Sequence, residues 1–207
     1  MKYAVRISAT AANVRPDCPA FYPRTHWAIE TMLSQPEFKD LQWTSLQPNG
    51  FLPMFLWPAA EFVRQYRETK KQGTLSMMID AGTPTGLIDS SDVGIIAAHL
   101  VSQDDTTPHN HAKYVLNGPE DVTGNQVVEL IEQYIGEKVE KVSFQDLSMI
   151  DHMAEQSSES KNLILTIKQA PVTMWQGRCK ASTTSKEILE LYAPKRTYVD
   201  VLKALLN

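Results

Sequence analysis

YPRTHWAIETMLSQPEFKDLQWTSLQPNGF, residues 22–51, holds the most informative local pattern of this chain. Its first half predicts a helix, with Thr25 as the N-cap and Pro36 after its end, because proline has no N–H to give to a helix interior. The apolar positions of that helix are Trp27, Ile29, Met32 and Leu33. Aromatic and β-branched residues at 43–46 predict a strand. Pro-Asn-Gly at 48–50 then breaks the ladder at the carboxyl end of the strand, where open α/β sheets bind their ligands.

A polar pair lies on the predicted helix. His26 and Glu30 are four residues apart and therefore share one face. One interpretation places this face and the turn at 48–51 around a common pocket. The other is a helix packed on a strand with a solvated His/Glu pair, which is the more frequent arrangement for such spacing.

Four segments, in this order, resemble the NmrA-like branch of the atypical short-chain dehydrogenase/reductases. They are H-x-x-x-E at 26–30, T-x-L-x-P-N-x-F at 44–51, IDSSDVG at 88–94 and YVLNGPEDVT at 114–123. The resemblance covers nearly the whole chain. It implies an α/β fold: an incomplete Rossmann-like parallel sheet, the C-terminal portion of the family's sheet, with a small α/β substrate lobe. It also implies a single domain over 1–207, in which 1–112 is the remaining Rossmann-like portion and 113–207 supplies the substrate lobe and closing helices, interleaved.

The resemblance assigns roles to particular residues. Ser8 falls near the family's catalytic serine, although a satisfied hydroxyl at a strand end explains it equally well. His26 stands where many members have a lysine or another polar residue near the nicotinamide ribose, and Glu30 would orient it; both enter the predicted catalytic set with Ser8. The predicted cofactor-binding residues are Pro48, Asn49, Gly50 and Phe51. The predicted substrate-binding residues are Phe55 and Trp57.

Composition excludes several classes of protein. The 207 residues are 43% hydrophobic and 21% charged, which is ordinary for a globular protein, and the net charge of −4 advertises no nucleic-acid partner. No apolar run approaches the roughly 20 residues of a membrane span, and the first residues lack a signal-peptide core. Cys18 and Cys179 have no zinc or redox spacing, so free thiols in a reducing, cytoplasmic setting are expected. His109 and His111 lack a third ligand nearby, and no metal site is predicted.

The rest of the chain alternates between strand and helix patterns. Strands are expected at 2–8, 74–79, 113–117 and 139–144. Helices are expected from Pro58 to about residue 71 with Gly73 past its end, after a cap at Ser90 or Ser91, near 146–156 and 159–168, and from Thr197. Capping boxes at 123–126 and 184–187 predict two more helix starts.

For the cofactor, the resemblance and the residues themselves lead to different expectations. NADP or NAD is implied by the resemblance, but a diphosphate needs a glycine-rich turn between a strand and a helix. None of the nine glycines forms such a motif. Relative to the family, the first four strands and their helices are therefore expected to be missing. The sequence leaves three explanations open: a truncated reading of the gene, a natural remnant that no longer binds nucleotide, or a chain that needs a second chain to complete its sheet.

Two functions follow from these expectations. One is NAD(P)H-dependent reduction of a small carbonyl or enone substrate, if a dinucleotide-binding half complements the chain. The other is a non-catalytic binding or regulatory module, or an inactive remnant. Cofactor-independent isomerase or lyase chemistry using His26 has no supporting triad. Because half a doubly wound sheet leaves an open edge, the isolated chain is expected to be marginally stable, self-associating or bound to a completing partner.

Overall fold

The computed structural model describes residues 2–207 and consists of strands and helices that alternate along the chain. The strands are β1 (Tyr3–Ile7), β2 (Gln42–Pro48), β3 (Leu75–Ser76), β4 (Ala112–Leu116) and β5 (Val142–Ser143). The α-helices are α1 (Phe21–Leu33), α2 (Leu52–Thr69), α3 (Ser90–Val101), α4 (Gly124–Ile135), α5 (Ser148–Gln156), α6 (Lys161–Leu165), α7 (Val172–Trp175), α8 (Lys186–Leu191) and α9 (Tyr198–Leu206).

The central sheet is parallel and has the strand order β1-β2-β4. Its register places Arg6 opposite Ser45, and Ser45 opposite Lys113. The strands alternate with crossover segments that contain helices, as parallel pairing requires. The predicted α/β class with a parallel sheet is therefore confirmed. β3 and β5 form a separate two-stranded parallel ladder.

The two faces of the central sheet differ in polarity because side chains alternate along each strand. On one face Leu46 and Leu116 are fully buried against Ile96 and Leu100 of α3. The opposite face, which lies under α1, carries Arg6, Ser45 and other polar residues. This polar face is unusual for a sheet covered by a helix, and it determines the chemistry of the site described below.

The helix predicted within the opening stretch begins earlier than expected. Ala20 occupies the N-cap position and the helix starts at Phe21, whereas Thr25 lies inside it and donates to the Tyr22 carbonyl at 2.7 Å. The apolar positions Trp27, Ile29 and Met32 remain more than one third exposed. Glu30 faces the sheet instead, because Arg6 and Lys113 lie there and neutralise its charge. The interpretation of a solvated His/Glu pair is therefore wrong for Glu30, which is 1% exposed.

The helix predicted from Pro58 begins six residues earlier, at Leu52. Pro53 lies in the first turn, where a missing N–H costs nothing, and Pro58 lies inside the helix. The helix ends at Thr69, where Lys70 adopts a left-handed conformation with φ 55°, so Gly73 is not its cap. The apolar run at 52–58 consequently forms the first two turns of α2, and Leu52, Phe55 and Leu56 are buried there.

Three other predicted helix starts can be compared with the structure. Thr123 and Gln126 form the predicted capping box of α4, and Thr197 caps α9 in the same way with Asp200. Asp89, rather than Ser90 or Ser91, caps α3 by accepting from the Ser91 N–H at 2.7 Å.

The capping box predicted at 184–187 does not form. The Ser185 hydroxyl accepts a hydrogen bond from the Val115 N–H at 2.9 Å, so it serves the edge of β4 and not the start of α8.

The ladder of the second sheet is shorter than the sequence predicts. Of residues 74–79 only Leu75 and Ser76 form β3, and of residues 139–144 only Val142 and Ser143 form β5. The chain still follows β5 further on, since the Gln145 N–H donates to the Ile79 carbonyl at 3.1 Å. This pair packs with α2, α4 and α9 around a second buried apolar cluster that includes Val63, Val127 and Leu202. Within residues 2–207, no helix combines the length and the apolar character that a membrane crossing needs.

Candidate functional site

A cavity of about 290 Å³ lies at the carboxyl ends of β1 and β2. Ser8, Ala9 and Thr10 follow β1 into its wall, and residues 48–51 follow β2. The opposite wall comes from α5 and from the segment at 167–174. This is the position at which open parallel sheets bind ligands.

Methionine dominates the apolar wall of this cavity, which we call the methionine cavity. Five of the eight methionines of the chain line it: Met54, Met78, Met149, Met153 and Met174. Methionine side chains are flexible and polarizable, and their sulfur atoms make favourable contacts with aromatic rings. The cavity therefore suits a flat apolar molecule whose exact outline is not fixed by rigid walls.

Few polar groups face the methionine cavity: Ser8, Thr10, Tyr22 and Asn49 are the polar side chains among its lining residues. The Asn49 amide is already engaged, since it donates to the carbonyls of Gly86 and Cys179 at 3.1 and 3.3 Å. The hydroxyl groups of Thr10 and Tyr22 form no hydrogen bond within residues 2–207. These two hydroxyls are the donors that a bound molecule can use.

The predicted catalytic residues Ser8 and Glu30 meet directly. The Ser8 hydroxyl donates to Glu30 Oε1 at 2.8 Å, and the Ser45 hydroxyl donates to the same oxygen at 2.7 Å. Gln47 Nε2 lies 3.2 Å from both carboxylate oxygens. Burial alone would raise the pKa of Glu30, but these hydrogen bonds and the nearby Lys113 ammonium hold it below its ordinary value. Glu30 is therefore a fully bonded buried carboxylate.

His26 reaches this network only through Arg6. Arg6 Nη1 lies 3.1 Å from Glu30 Oε1, and Arg6 Nη2 lies 2.6 Å from His26 Nδ1. Since a guanidinium can only donate, His26 Nδ1 accepts and the neutral ring carries its proton on Nε2. Desolvation and the Arg6 charge both lower the pKa of His26, outweighing the Glu30 carboxylate. His26 is thus neutral at pH 7, and it is not among the residues that line the methionine cavity.

Tyr22 is the site residue that the sequence analysis missed. It lines the methionine cavity and packs edge-to-face against His26, with ring centroids 6.4 Å apart. Although 38% of its surface is exposed, the environment of its hydroxyl is crowded, and burial raises the pKa of Tyr22 to about 12. The signal was present in the sequence, because Tyr22 and His26 are four apart on the helix face that was already identified.

The predicted cofactor-binding residues 48–51 line the methionine cavity, but much of their hydrogen-bonding capacity is used within the fold. The Asn49 N–H donates to Leu116 at 2.8 Å, and the Gly50 carbonyl accepts from Ile88 at 3.0 Å. A Cβ on Gly50 would lie 2.5 Å from the Phe55 ring, so this glycine permits a close approach of α2 to the turn. Residues 48–51 therefore offer a shaped wall more than a set of free donors.

The two predicted substrate-binding residues differ in position. Phe55 lines both the methionine cavity and an adjoining open cleft of about 620 Å³ between α2 and α5, whereas Trp57 is 51% exposed and lines only the open cleft. That cleft is larger, but it lies away from the strand ends. We take the methionine cavity as the candidate site because it is more enclosed and contains the strand-end residues.

The described residues provide no cradle for a diphosphate. Gly124 begins α4, but a Cβ there would meet the Phe144 ring and the Asp80 carbonyl within 3 Å, so that helix start is filled. The N-terminus of α3 is occupied by its own cap, Asp89. The wall at 48–51 fits a planar ring, while the phosphates of a dinucleotide find no matching backbone nest. Nor do residues 2–207 contain a cluster of three His, Cys, Asp or Glu side chains suited to a metal ion.

Solved structures of other proteins share this fold. An NADPH-dependent quinone oxidoreductase from Escherichia coli matches 100% of this chain with a TM-score of 0.70 at 19% identity, and its NADPH complex matches with a TM-score of 0.69. A triphenylmethane reductase from Citrobacter, solved with NADP(H), matches with a TM-score of 0.67 at 15% identity. The chain shares their Rossmann-like α/β fold. No family model and no curated protein matches the sequence.

The chain spans about two thirds of the length of these structures: 68% of the uncomplexed oxidoreductase, and 66% of both its NADPH complex and the triphenylmethane reductase. At such low identity the likeness concerns the fold. The function of this chain is therefore argued from its own residues.

Proposed function

We propose that this chain is the substrate-binding portion of an NmrA-like, nicotinamide-dependent reductase and that it acts when a dinucleotide-binding portion completes it. The observation that carries the proposal is the methionine cavity at the ends of β1 and β2, with two free hydroxyls on an apolar wall. The quinone oxidoreductase and the triphenylmethane reductase, which share the fold, support this choice of reaction class.

The substrate would be a small, flat, largely apolar carbonyl, enone or quinone. A cavity of about 290 Å³ that five methionines line favours such a ring. No cationic residue lines the cavity, so a negatively charged substrate has no partner there. Thr10 and Tyr22 are the hydroxyls that can donate to the carbonyl oxygen.

Reduction of a carbonyl delivers a hydride to carbon and a proton to oxygen. A nicotinamide supplies hydride when bound, but the described residues offer no site for its diphosphate. What this chain contributes is the cavity that excludes water and the Tyr22 hydroxyl, which can donate a hydrogen bond to the substrate oxygen. With a pKa of about 12 the phenol can donate a hydrogen bond but is a weak acid, so proton release requires a positive charge placed nearby.

The completed protein would therefore need its second portion for two reasons: to hold the dinucleotide and to place charge beside Tyr22. A segment that pairs with the open edge of β1 meets both needs, because that edge adjoins the cavity. In this proposal the completing partner lies along Tyr3–Ile7, and the substrate stays on the side of residues 48–51. We also place the completed protein in the cytoplasm, where NADPH is available and free thiols persist.

A non-catalytic binding module is the second candidate. Two observations favour it: Ser8 is committed to Glu30 at 2.8 Å, and the Tyr22 phenol is hard to ionise. Such a module would hold an apolar ligand in the methionine cavity without turning it over.

Fusion of residues 2–207 to the first dinucleotide-binding strands of the Escherichia coli quinone oxidoreductase tests the proposal. NADPH oxidation at 340 nm is measured with 1,4-naphthoquinone, and a Tyr22→Phe fusion is the matched variant. We expect turnover, and a kcat at least about tenfold lower in Tyr22→Phe with little change in KM, since a hydroxyl used in the transition state affects kcat. A fusion that binds NADPH and naphthoquinone but shows no turnover would favour the binding module.

A further inference from the structure

A second opening, of about 180 Å³, lies beside the carboxyl ends of β2 and β4, on the polar face of the sheet. We call it the polar cleft. Gln47 and Asn117 form its floor, Thr10 and Thr183 its sides, and Arg178 its rim. It adjoins the methionine cavity at Thr10 and Asn49, and polar side chains make up a larger share of its lining, beside Ala11, Ala12, Val115 and Cys179.

The side chains of two largely buried amide residues have oxygen atoms that are open to this cleft. Asn117 is 2% exposed, and its Nδ2 donates to the hydroxyls of Thr183 and Thr184 at 3.0 and 3.3 Å. Gln47 is 7% exposed, and its Nε2 is committed to Glu30. Neither Asn117 Oδ1 nor Gln47 Oε1 accepts a hydrogen bond from any residue between 2 and 207. Both oxygens are open to the cleft, so a ligand with hydroxyl donors can bond to them in place of water.

Arg178 adds a positive charge at the rim. Its guanidinium forms neither an ion pair nor a hydrogen bond within the described part of the chain. Cys179, the next residue, is buried and fixes the backbone, since its carbonyl accepts from the Gly86 N–H at 2.8 Å. Arg178 is therefore an exposed cation on an anchored segment, with all five of its N–H donors available.

The charges behind the cleft also favour a negatively charged ligand. Gln47 connects the cleft to the Glu30 network, where Arg6 and Lys113 face a single carboxylate and His26 is neutral. This cluster thus carries a net positive charge in a chain whose net charge is −4. No carboxylate lines the cleft, and that of Asp121 accepts from the Ala181 N–H at 2.7 Å.

We propose that the polar cleft binds a small hydroxylated anion, with its negative group on Arg178 and its hydroxyls on Gln47 Oε1 and Asn117 Oδ1. A volume of about 180 Å³ holds about six waters at roughly 30 Å³ each, which limits the ligand to the size of a three-carbon hydroxy acid or a phosphate. The negative group is a carboxylate or a phosphate; both match the guanidinium. This inference is independent of the proposed reductase function, because Arg178, Gln47 and Asn117 take no part in the proposed reduction.

Isothermal titration of the 207-residue chain with glycerate tests the site, with propionate as a ligand that keeps the carboxylate and lacks hydroxyls. We expect glycerate to bind at least about tenfold more tightly than propionate, since only glycerate has hydroxyls that can donate to Gln47 Oε1 and Asn117 Oδ1. A parallel titration with inorganic phosphate distinguishes the source of the negative group. Phosphate that displaces glycerate and binds more tightly assigns the cleft to phosphates, and weaker phosphate binding assigns it to carboxylates; both outcomes support the site.

Arg178→Gln is the decisive variant and Lys180→Gln its matched control. Both side chains are exposed and lie on either side of Cys179, but only Arg178 lines the cleft. We expect at least a tenfold loss of glycerate affinity in Arg178→Gln and less than a twofold change in Lys180→Gln. Equal affinity of the wild-type and Arg178→Gln chains, equal binding of glycerate and propionate, or no binding of either glycerate or phosphate at about 20 mM would each overturn the proposal.

Discussion

The hydroxyl of Ser8 donates a 2.8 Å hydrogen bond to the buried carboxylate of Glu30. A serine that serves as a nucleophile must give its proton to a base, and Glu30, with its lowered pKa, is a poor one. The bond instead contributes to a network that fixes α1 on the sheet. The Ser8 oxygen can still accept a hydrogen bond from a ligand through its free lone pairs and so help to position that ligand.

Glu30→Gln should destabilise the chain by about 3 kcal/mol or more, because Arg6 and Lys113 would then face each other without a carboxylate. Urea unfolding followed by circular dichroism measures the loss. Glu37→Gln, the same change at an exposed position shortly after α1, is the control and should shift stability by less than about 0.5 kcal/mol. Equal stability of Glu30→Gln and wild type would contradict a structural role for this carboxylate.

The same network predicts how stability depends on pH. The pKa of Glu30 is lower in the folded chain than its ordinary value of 4.5, so its stabilisation is present above about pH 4.5 and is lost as pH falls through the folded pKa. His26, whose pKa lies below its ordinary value of 6.5, acts in the same direction from about pH 6.5 downwards. Unfolding midpoints measured from pH 7 to about pH 2 should fall in two steps, and His26→Gln should remove the upper one. A midpoint that is constant over this range would refute both assignments.

The sequence was sufficient for the elements whose signals are local. The box at Thr123 and Gln126 satisfies its own helix, and the Pro-Asn-Gly turn at 48–50 ends β2, so neither depends on distant residues. Predictions failed where another residue competed. At 184–187 the competitors are distant, since the Asn117 N–H uses the Thr184 hydroxyl and the Val115 N–H uses the Ser185 hydroxyl. At α3 the competitor is adjacent, since Asp89 caps the helix in place of Ser90 and Ser91.

The candidate site was predictable in position and only partly in its members. The strand-end turn located the cavity, and the His26/Glu30 spacing located the helix face. The apolar periodicity of α1 was misleading, because Arg6 and Lys113 lie on neighbouring strands and draw Glu30 inward. Tyr22 and the five methionines could not be grouped from sequence, since α2, α5 and the segment at 167–174 bring them together from distant positions.

Ala170→Leu should block the methionine cavity. Ala170 is 8% exposed and lies in the cavity wall, so a larger side chain there occupies the space of a ligand. We expect 1,4-naphthoquinone to quench the tryptophan fluorescence of the wild-type chain and to bind at least about tenfold more weakly to Ala170→Leu. Ala98→Leu, at an exposed position of α3, is the matched control. Undiminished binding to Ala170→Leu would place the ligand elsewhere, for example in the open cleft beside Trp57.

Tyr22 should titrate last among the tyrosines of the chain. Burial raises the pKa of Tyr22 to about 12, so its ring carbon resonance should remain constant up to about pH 11. NMR spectra of a chain labelled at the tyrosine Cζ position measure this directly, and Tyr22→Phe assigns the signal. A Tyr22 resonance that titrates near pH 10 would show a solvated phenol and remove the argument that it is a reluctant acid.

The open edge of β1 should make the isolated chain self-associate. The Ser8 N–H donates to the Leu46 carbonyl, and the Lys2 carbonyl accepts from the Gln42 N–H. The N–H and C=O groups of Tyr3, Val5 and Ile7 therefore point away from β2. Ile7 is 43% exposed at the end of this edge. Ile7→Lys should lower the association measured by sedimentation velocity, since a charged edge resists strand addition. Ile95→Lys, at a similarly exposed position of α3, should leave association unchanged. A wild-type chain that stays monomeric at high concentration and melts in one sharp calorimetric transition would show that this edge needs no partner.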